Sequence, residues 1–217
     1  MIKDNVLKIL KEVENGNPFG EKVIVVGATK FVDADRINES IKAGLLDVGE
    51  NKAQEFRDKK DLLLPVNYHF FGRLQRNKVK YLIGRCHLIQ SVDSYELINE
   101  INAQSLKKNT VTNILFEINL GESQKGGINA DKLQDFLNYA QGLEGVLVKG
   151  IMCVLPNLED EKLLEIELVK LRKLYDKFKE KYSFTHLSVG MSNDYLLAVK
   201  CGSNMIRIGS KIYGARY

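Results

Sequence analysis

Val23-Ile24-Val25-Val26-Gly27-Ala28-Thr29-Lys30 is the stretch that decides how this chain folds. Six residues from Val23 to Ala28 are apolar or glycine, rich in β-branched side chains, and bounded by Gly20 and Thr29. A continuous run of that kind, without period-two alternation, predicts a strand buried on both faces, as in parallel sheets covered by helices. On its amino side, Met1–Gly16 carries charges throughout (Lys3, Asp4, Lys8, Lys11, Glu12, Glu14) and predicts an amphipathic helix. On its carboxyl side, Ile37, Ile41 and Leu45 lie four apart on one helical face. Asp33 or Asp35 is placed to cap that helix and Gly44 to stop it.

The same alternation runs through the rest of the chain. Further strands are predicted at Leu46–Glu50, Asn67–Phe71, Leu88–Val92, Asn113–Leu120, Leu147–Val154, His186–Gly190 and Met205–Ile208. Helical patterns separate them near Lys52–Leu63, Asn77–Ile83, Tyr95–Leu106, Lys132–Gln141, Glu159–Tyr182 and Asp194–Lys200. Strands that alternate with helices pair in parallel, because a strand returns in the same direction only through a crossover. Eight such units imply an α/β chain folded as a (β/α)8 TIM barrel, one domain over residues 1–217 with an N-terminal helix. The alternative is an open doubly wound sheet. Against it, no Gly-x-Gly-x-x-Gly follows the first strand and no phosphate-binding loop with Gly-Lys-Ser/Thr occurs. Gly121–Gly127 comes nearest, with glycine where the lysine belongs. Leu164, Leu168, Leu171, Tyr175, Phe178 and Tyr182 could make a coiled-coil seam, but an outer barrel helix is the expected use of that stripe.

Composition narrows the function classes. With 217 residues, 44% hydrophobic and 28% charged, the chain has the proportions of a soluble globular protein. At this size roughly 70% of the unfolded surface is buried on folding, so no disulfide or structural metal is required. Cys86, Cys153 and Cys201 are odd in number and far apart, which points to a reducing cytoplasm rather than a disulfide framework or a cysteine zinc site. No signal peptide and no membrane span is read. The net charge of +4 comes from 32 basic and 28 acidic residues of interspersed sign, too small an excess to argue for nucleic acid.

A barrel places its active site at the carboxyl ends of its strands. Lys30 follows strand 1 there, with its stem against apolar walls and its amine aimed at the mouth. Desolvation would lower its pKa and suit it to a Schiff base with an aldehyde; a solvated surface lysine is the plain alternative. Gly49-Glu50-Asn51 closes strand 2, Asn119 ends strand 5, and Met152 and Pro156 lie at the end of strand 6. Gly190-Met191-Ser192 and Gly209-Ser210 follow strands 7 and 8, where barrels hold phosphate, although such pairs are also ordinary turn residues. Arg207 alternates with Ile206 and Ile208 and points either into the barrel or out towards the helices. His69 reads as a general base, a ring-stacking partner or a satisfied core histidine. His87 and His186, at the amino ends of strands, read as structural.

Ala28-Thr29-Lys30, Gly49-Glu50-Asn51, the run Tyr68-His-Phe-Phe-Gly-Arg-Leu-Gln-Arg-Asn-Lys78, Gly190-Met-Ser-Asn-Asp194, and Arg207-Ile-Gly-Ser210 with Gly214-Ala-Arg216 stand in order along the chain. Together they resemble the YggS/PROSC family of pyridoxal-phosphate-binding proteins, over nearly the whole chain. Tyr68, Phe71 and a slightly short Gly121–Gly127 loop depart from the family's pattern. The resemblance implies a barrel like the amino-terminal domain of alanine racemase and pyridoxal 5′-phosphate as cofactor. It implies an internal aldimine on Lys30, phosphate held by Ser192, Gly209 and Ser210, Arg207 facing the pyridine nitrogen, and Asn51, His69 and Met152 lining the ring.

An arginine cannot accept the pyridinium proton, which weakens the cofactor as an electron sink. The chain also ends at Tyr217, without the second domain that completes similar racemases and decarboxylases. The expected role is therefore cofactor homeostasis: holding and exchanging pyridoxal phosphate, with apoenzymes as recipients and a monomeric state. Lys78 and Lys125 lie in polar loops, where a transient second cofactor site and ordinary solvated surface lysines are both open readings. A weak racemase-like enzyme and a cofactor-free barrel aldolase are the rival readings.

Overall fold

The computed structural model describes residues 1–120, 126–156 and 160–214. The quoted stretch forms β1 (Ile24–Ala28), whose three central residues are buried. It is flanked by β2 (Asp47–Glu50) on one side and β9 (Met205–Ile208) on the other, both parallel to it. The order continues through β3 (Asn67–Phe70), β4 (Leu88–Val92), β5 (Thr112–Asn119), β7 (Val146–Cys153) and β8 (His186–Ser188). Pairing of β4 with β5 closes the circle, so eight parallel strands make a barrel with no free edge. The expected fold is the one observed. Two elements were not foreseen: β6 (Ile128–Asn129), two residues paired with the end of β5 outside the barrel circuit, and a four-residue helix at Ser210–Tyr213 after β9.

Eight α-helices accompany the strands among the described residues: α1 (Ile2–Glu12), α2 (Ala34–Lys42), α3 (Ala53–Lys59), α4 (Tyr95–Lys107), α5 (Leu133–Ala140), α6 (Glu161–Tyr182), α7 (Tyr195–Lys200) and α8 (Ser210–Tyr213). Asp33 caps α2, its carboxylate accepting from Arg36 N at 2.9 Å, and Ile37 and Leu45 are buried beneath it. The helix expected at Asn77–Ile83 is instead a 3-10 turn, Arg76–Tyr81. Lys52–Leu63 likewise divides into α3 and a 3-10 turn at Lys60–Leu62, and Ala130–Lys132 is a 3-10 turn before α5. Short connectors leave too few residues to propagate an α-helix once nucleated, and 3-10 geometry serves such pieces.

In α6, Leu168, Leu171, Tyr175 and Phe178 are buried, and the helix packs on β7. The apolar stripe therefore faces the barrel, not a coiled-coil partner. The Gly121–Gly127 loop lies outside the described residues from 121 to 125, as do Lys125, Glu159 and the Ala215-Arg216 part of the last motif.

Two cores result. Ile37, Phe56, Phe70, Ile89, Ile98, Phe116, Leu137, Ile151, Leu168 and Ile206 are among the residues packing helices on the outside of the sheet. Inside the barrel, Val26, Leu88, Leu115, Met152 and Met205 form a smaller apolar cluster. Polar side chains occupy the interior positions above and below it. No described helix is long and apolar enough to cross a membrane.

Candidate functional site

The carboxyl mouth is built on short backbone segments. Thr29, the first residue after β1, donates from its hydroxyl to Gly49 O at 3.0 Å and to Glu50 Oε1 at 2.8 Å, and its N–H bonds Gly49 O. Lys30, half-buried, follows directly. Phe31 then turns the chain with φ 63°, a left-handed conformation that costs a side-chain-bearing residue about 1–2 kcal/mol. Its N–H donates to Glu55 Oε2 at 3.0 Å, and Lys52 Nζ stands 4.3 Å from its ring centroid. Lys30 is thus held between a tethered threonine and a strained turn.

Glu50 is fully buried below this turn and receives Lys59 Nζ at 2.7 Å. Burial raises its carboxyl above the ordinary value against the opposing pull of Lys59 and Thr29. Asn51 closes β2 with its Oδ1 buried and unpartnered. Its backbone is packed on Gly72: a Cβ there would stand 2.0 Å from Asn51 O, so any side chain would force Asn51 to shift.

Across the mouth, Ser192 Oγ accepts from Gly209 N at 3.3 Å, which joins the β8–α7 turn to the end of β9. Ser210 is exposed and Gly209 partly so. Gly209 also lies against Ala28, since a Cβ on it would come within 3.5 Å of Ala28 Cβ and O. Lys30 and the Ser192-Gly209-Ser210 group therefore share one rim, from adjacent strands.

Arg207 points inward, settling the orientation that alternation left open. It is 4% exposed; Nη1 donates to Ser188 O at 2.9 Å and Ser188 Oγ at 2.7 Å, and Nη2 to Cys153 O at 2.9 Å. All three acceptors are neutral. Burial lowers its pKa, and the nearby Glu117 carboxylate is among the charges that oppose this. Glu117, on β5, is itself raised, by burial and then by Asp93.

From Arg207 a hydrogen-bonded chain descends through the barrel. Ser188 Oγ donates to Gln90 Oε1 at 2.6 Å, Gln90 Nε2 lies 3.0 Å from His69 Nδ1, and His69 Nε2 lies 2.9 Å from Asp47 Oδ1. With Gln90 donating, Nδ1 accepts and the ring proton sits on Nε2, directed at Asp47. Asn67 Nδ2 also donates to Asp47 at 3.0 Å. Burial would raise the Asp47 carboxyl, but the hydrogen bond from His69 holds it below the ordinary value.

The expected site residues thus divide. Lys30, Asn51, Ser192, Gly209 and Ser210 stand at the carboxyl mouth, and Arg207 lies one layer below. Met152 is completely buried in the interior cluster with Val26 and Leu115. His69 is not at the mouth: both ring nitrogens are engaged within the barrel, and it reaches Arg207 only through Gln90 and Ser188. Gln90 was missed, although a glutamine inside the run Leu88-Ile-Gln-Ser-Val92 is a visible signal, because a buried strand carries such a group only with partners. Lys78 lies in the 3-10 turn beside Tyr81, its Nζ 5.7 Å from the ring centroid.

Residues 2–217 match the model of the alanine racemase N-terminal domain family. The chain belongs to that family. Within it, the chain is 40% identical over 197 residues to the pyridoxal phosphate homeostasis protein of Aquifex aeolicus, covering 88% of this chain and 86% of that one. Family members of known structure share the barrel. The PipY protein of Synechococcus elongatus superposes with a TM-score of 0.90 at 25% identity, covering 99% of this chain and 100% of that one, and its structure is known without and with PLP bound. The alanine racemase of Clostridium difficile superposes with a TM-score of 0.75 at 16% identity. There 98% of this chain covers 57% of the racemase, a likeness of fold.

Proposed function

We propose that the carboxyl mouth binds pyridoxal 5′-phosphate and that the chain serves the homeostasis of that cofactor, holding it on Lys30 and exchanging it without a robust amino-acid reaction of its own. The observation that carries this reading is Arg207, a buried guanidinium with neutral acceptors, one layer beneath a rim shared by Lys30 and the Ser192-Gly209-Ser210 group. The unpartnered Asn51 Oδ1 at the same mouth is an acceptor awaiting a donor. These residues fit the cofactor's three handles. Lys30 Nζ would take the aldehyde, Ser192, Gly209 and Ser210 the phosphate, and Arg207 the ring nitrogen, with Asn51 and Met152 alongside. The relatives named pyridoxal phosphate homeostasis proteins support the same reading.

Bound in this way, pyridoxal phosphate supplies an electron sink to amines. Arg207 can donate to the ring nitrogen but has no acceptor to offer a pyridinium proton, so it keeps that sink weak. Ser188 and Cys153 hold the guanidinium in place. His69 acts two hydrogen bonds further away, as a positioning residue. We also infer that apoenzymes requiring the cofactor are its recipients, and that the chain works as a monomer in the cytoplasm.

Near-ultraviolet and visible absorbance of the purified protein, followed by borohydride reduction and intact mass, tests the reading. A visible band that reduction fixes as one covalent adduct, absent in a folded Lys30→Ala variant, is the expected result. A colourless protein that pyridoxal phosphate does not titrate would overturn it in favour of a cofactor-free aldolase. Solvent deuterium incorporation into the α-position of added alanine would instead favour the racemase-like enzyme.

A further inference from the structure

The chain has three histidines, and all three come to the amino mouth of the barrel, opposite the mouth described above. His69 projects inward from β3, His87 immediately precedes β4, and His186 opens β8. Asp47, the first residue of β2, completes the group. The rings of His69 and His87 lie 5.3 Å apart between centroids. We propose that Asp47, His69 and His87 form a binding site for a divalent first-row transition ion, with zinc as its representative.

Geometry carries the proposal. One donor atom from each of the three residues falls within 4.8 Å of the other two. His69 Nε2 and Asp47 Oδ1 are already 2.9 Å apart. With metal–donor bonds of about 2.0–2.2 Å, neighbouring donors around an ion lie about 3–3.5 Å apart, so this pair already spans one edge of a coordination polyhedron. His87 is exposed and free of the interior network, so its ring can close the third corner. Two imidazoles and one carboxylate form a donor set for zinc, nickel, cobalt or copper, not for magnesium or calcium, which take oxygen ligands. Solvent reaches the site past His87, which is exposed.

The support behind the ligands is of the kind metal sites use. His69 is 1% exposed and held from behind by Gln90, while Asn67 steadies Asp47. In the ion-free chain the His69 proton sits on Nε2. An ion bound at Nε2 moves that proton to Nδ1, with no net proton lost from the ring. Gln90 then turns its amide to accept from Nδ1–H through Oε1 and to donate through Nε2 to Ser188 Oγ, the atom that also receives Arg207. Occupancy at the amino mouth is thereby coupled to the guanidinium. The neighbouring Cys86 takes no part: its thiol donates to Leu88 O, and burial pushes its pKa up to about 12.

Titration of the full chain with Zn2+ by calorimetry and with Co2+ by visible absorption tests the site. The expected result is one ion per chain, with cobalt bands of nitrogen and oxygen coordination and no thiolate charge-transfer band. His87→Ala, an exposed change that leaves folding intact, should weaken binding about tenfold or more, and Asp47→Asn by at least as much. Lys30→Ala should bind the ion as the parent does, which separates this proposal from the cofactor reading. Nitrogen-15 NMR should show the His69 proton moving from Nε2 to Nδ1 on zinc addition. Absence of saturable one-to-one binding, unchanged affinity in His87→Ala, or a thiolate band would overturn the proposal.

Discussion

The two mouths of this barrel are made by different means. At the carboxyl mouth the polar groups stand on loops, are half-exposed or exposed, and are placed by backbone: a left-handed Phe31, the Asn51 carbonyl pressed on Gly72, and a hydroxyl on the Gly209 amide. At the amino mouth Asp47 and His69 are placed by each other and by Gln90. A binding rim needs groups with unused hydrogen-bonding capacity, and backbone can fix such groups without consuming it. A self-satisfied cluster consumes its capacity and is available only to something that displaces a proton. Arg207 belongs to both arrangements, buried like the amino-mouth groups yet presented towards the rim.

The largest effects should come from filling the space that each mouth keeps empty. A Cβ on Gly72 would stand 2.0 Å from Asn51 O, and one on Gly150, at φ +146°, would stand 1.9 Å from His186 O. Both obstacles are backbone atoms, so Gly72→Ala and Gly150→Ala should each destabilise by about 3 kcal/mol or more, measured by urea unfolding. Both variants should still fold in mild conditions, given a typical domain stability of about 5–15 kcal/mol. There they should differ: Gly72→Ala displaces Asn51 and loses pyridoxal phosphate affinity, whereas Gly150→Ala keeps it. Equal loss in both would mean that the mouths are not separately built.

Breaking the link between them should have a smaller effect. Gln90→Leu leaves His69 Nδ1 and the Ser188 hydroxyl without their partner and should destabilise by about 2 kcal/mol. Combined with Ser188→Ala, the loss should be less than the sum, because both changes remove the same bond. Strict additivity would show that the chain from Arg207 to Asp47 does not act as a unit.

These residues also mark how far the sequence could be read. The eight strands were legible because buried parallel strands are unbroken apolar runs, and the rim was legible because polar residues after such runs stand at strand ends. Register was not legible. Whether Arg207 faces in or out, and that Asp47, His69, His87 and His186 share one mouth, depends on the stagger of eight strands around a closed barrel. For the same reason the surroundings of His69 were not legible: its position along β3 is visible in the sequence, but the partners that occupy both ring nitrogens come from β2 and β4. The connectors at Arg76–Tyr81 and Lys60–Leu62 read as α-helical because composition scarcely separates a 3-10 turn from a helical one.

Outside the amino mouth, Glu21 joins the segment before β1 to α6, receiving Arg172 Nη1 at 2.7 Å and Lys179 Nζ at 2.6 Å. Burial opposes its ionisation, but Arg172, Lys179 and Asn17 lower its pKa to about 2. With a folded value below the ordinary 4.5, its contribution is present above pH 4.5 and is lost as pH falls from there towards 2. Discounted for solvent screening, the step should be about 1 kcal/mol. Glu21→Gln should remove that acid-sensitive step from the stability profile while leaving both mouths unchanged. An unaltered profile would assign the acid response to other carboxylates.

Phe31 offers the smallest change and the sharpest question about the carboxyl mouth. Its left-handed backbone costs about 1–2 kcal/mol, and glycine would remove that while adding about 0.5–1 kcal/mol of unfolded-state freedom. Phe31→Gly should therefore be about half a kcal/mol more stable, since the ring is 63% exposed and buries little apolar surface. The gain in stability should come with looser placement of Lys30 and a cofactor affinity a few-fold weaker, read by pyridoxal phosphate titration. Strain at Phe31 would then be what holds the amine in position. A variant that is more stable and binds the cofactor as well as the parent would show that Thr29 and its bonds to Gly49 and Glu50 position Lys30 alone.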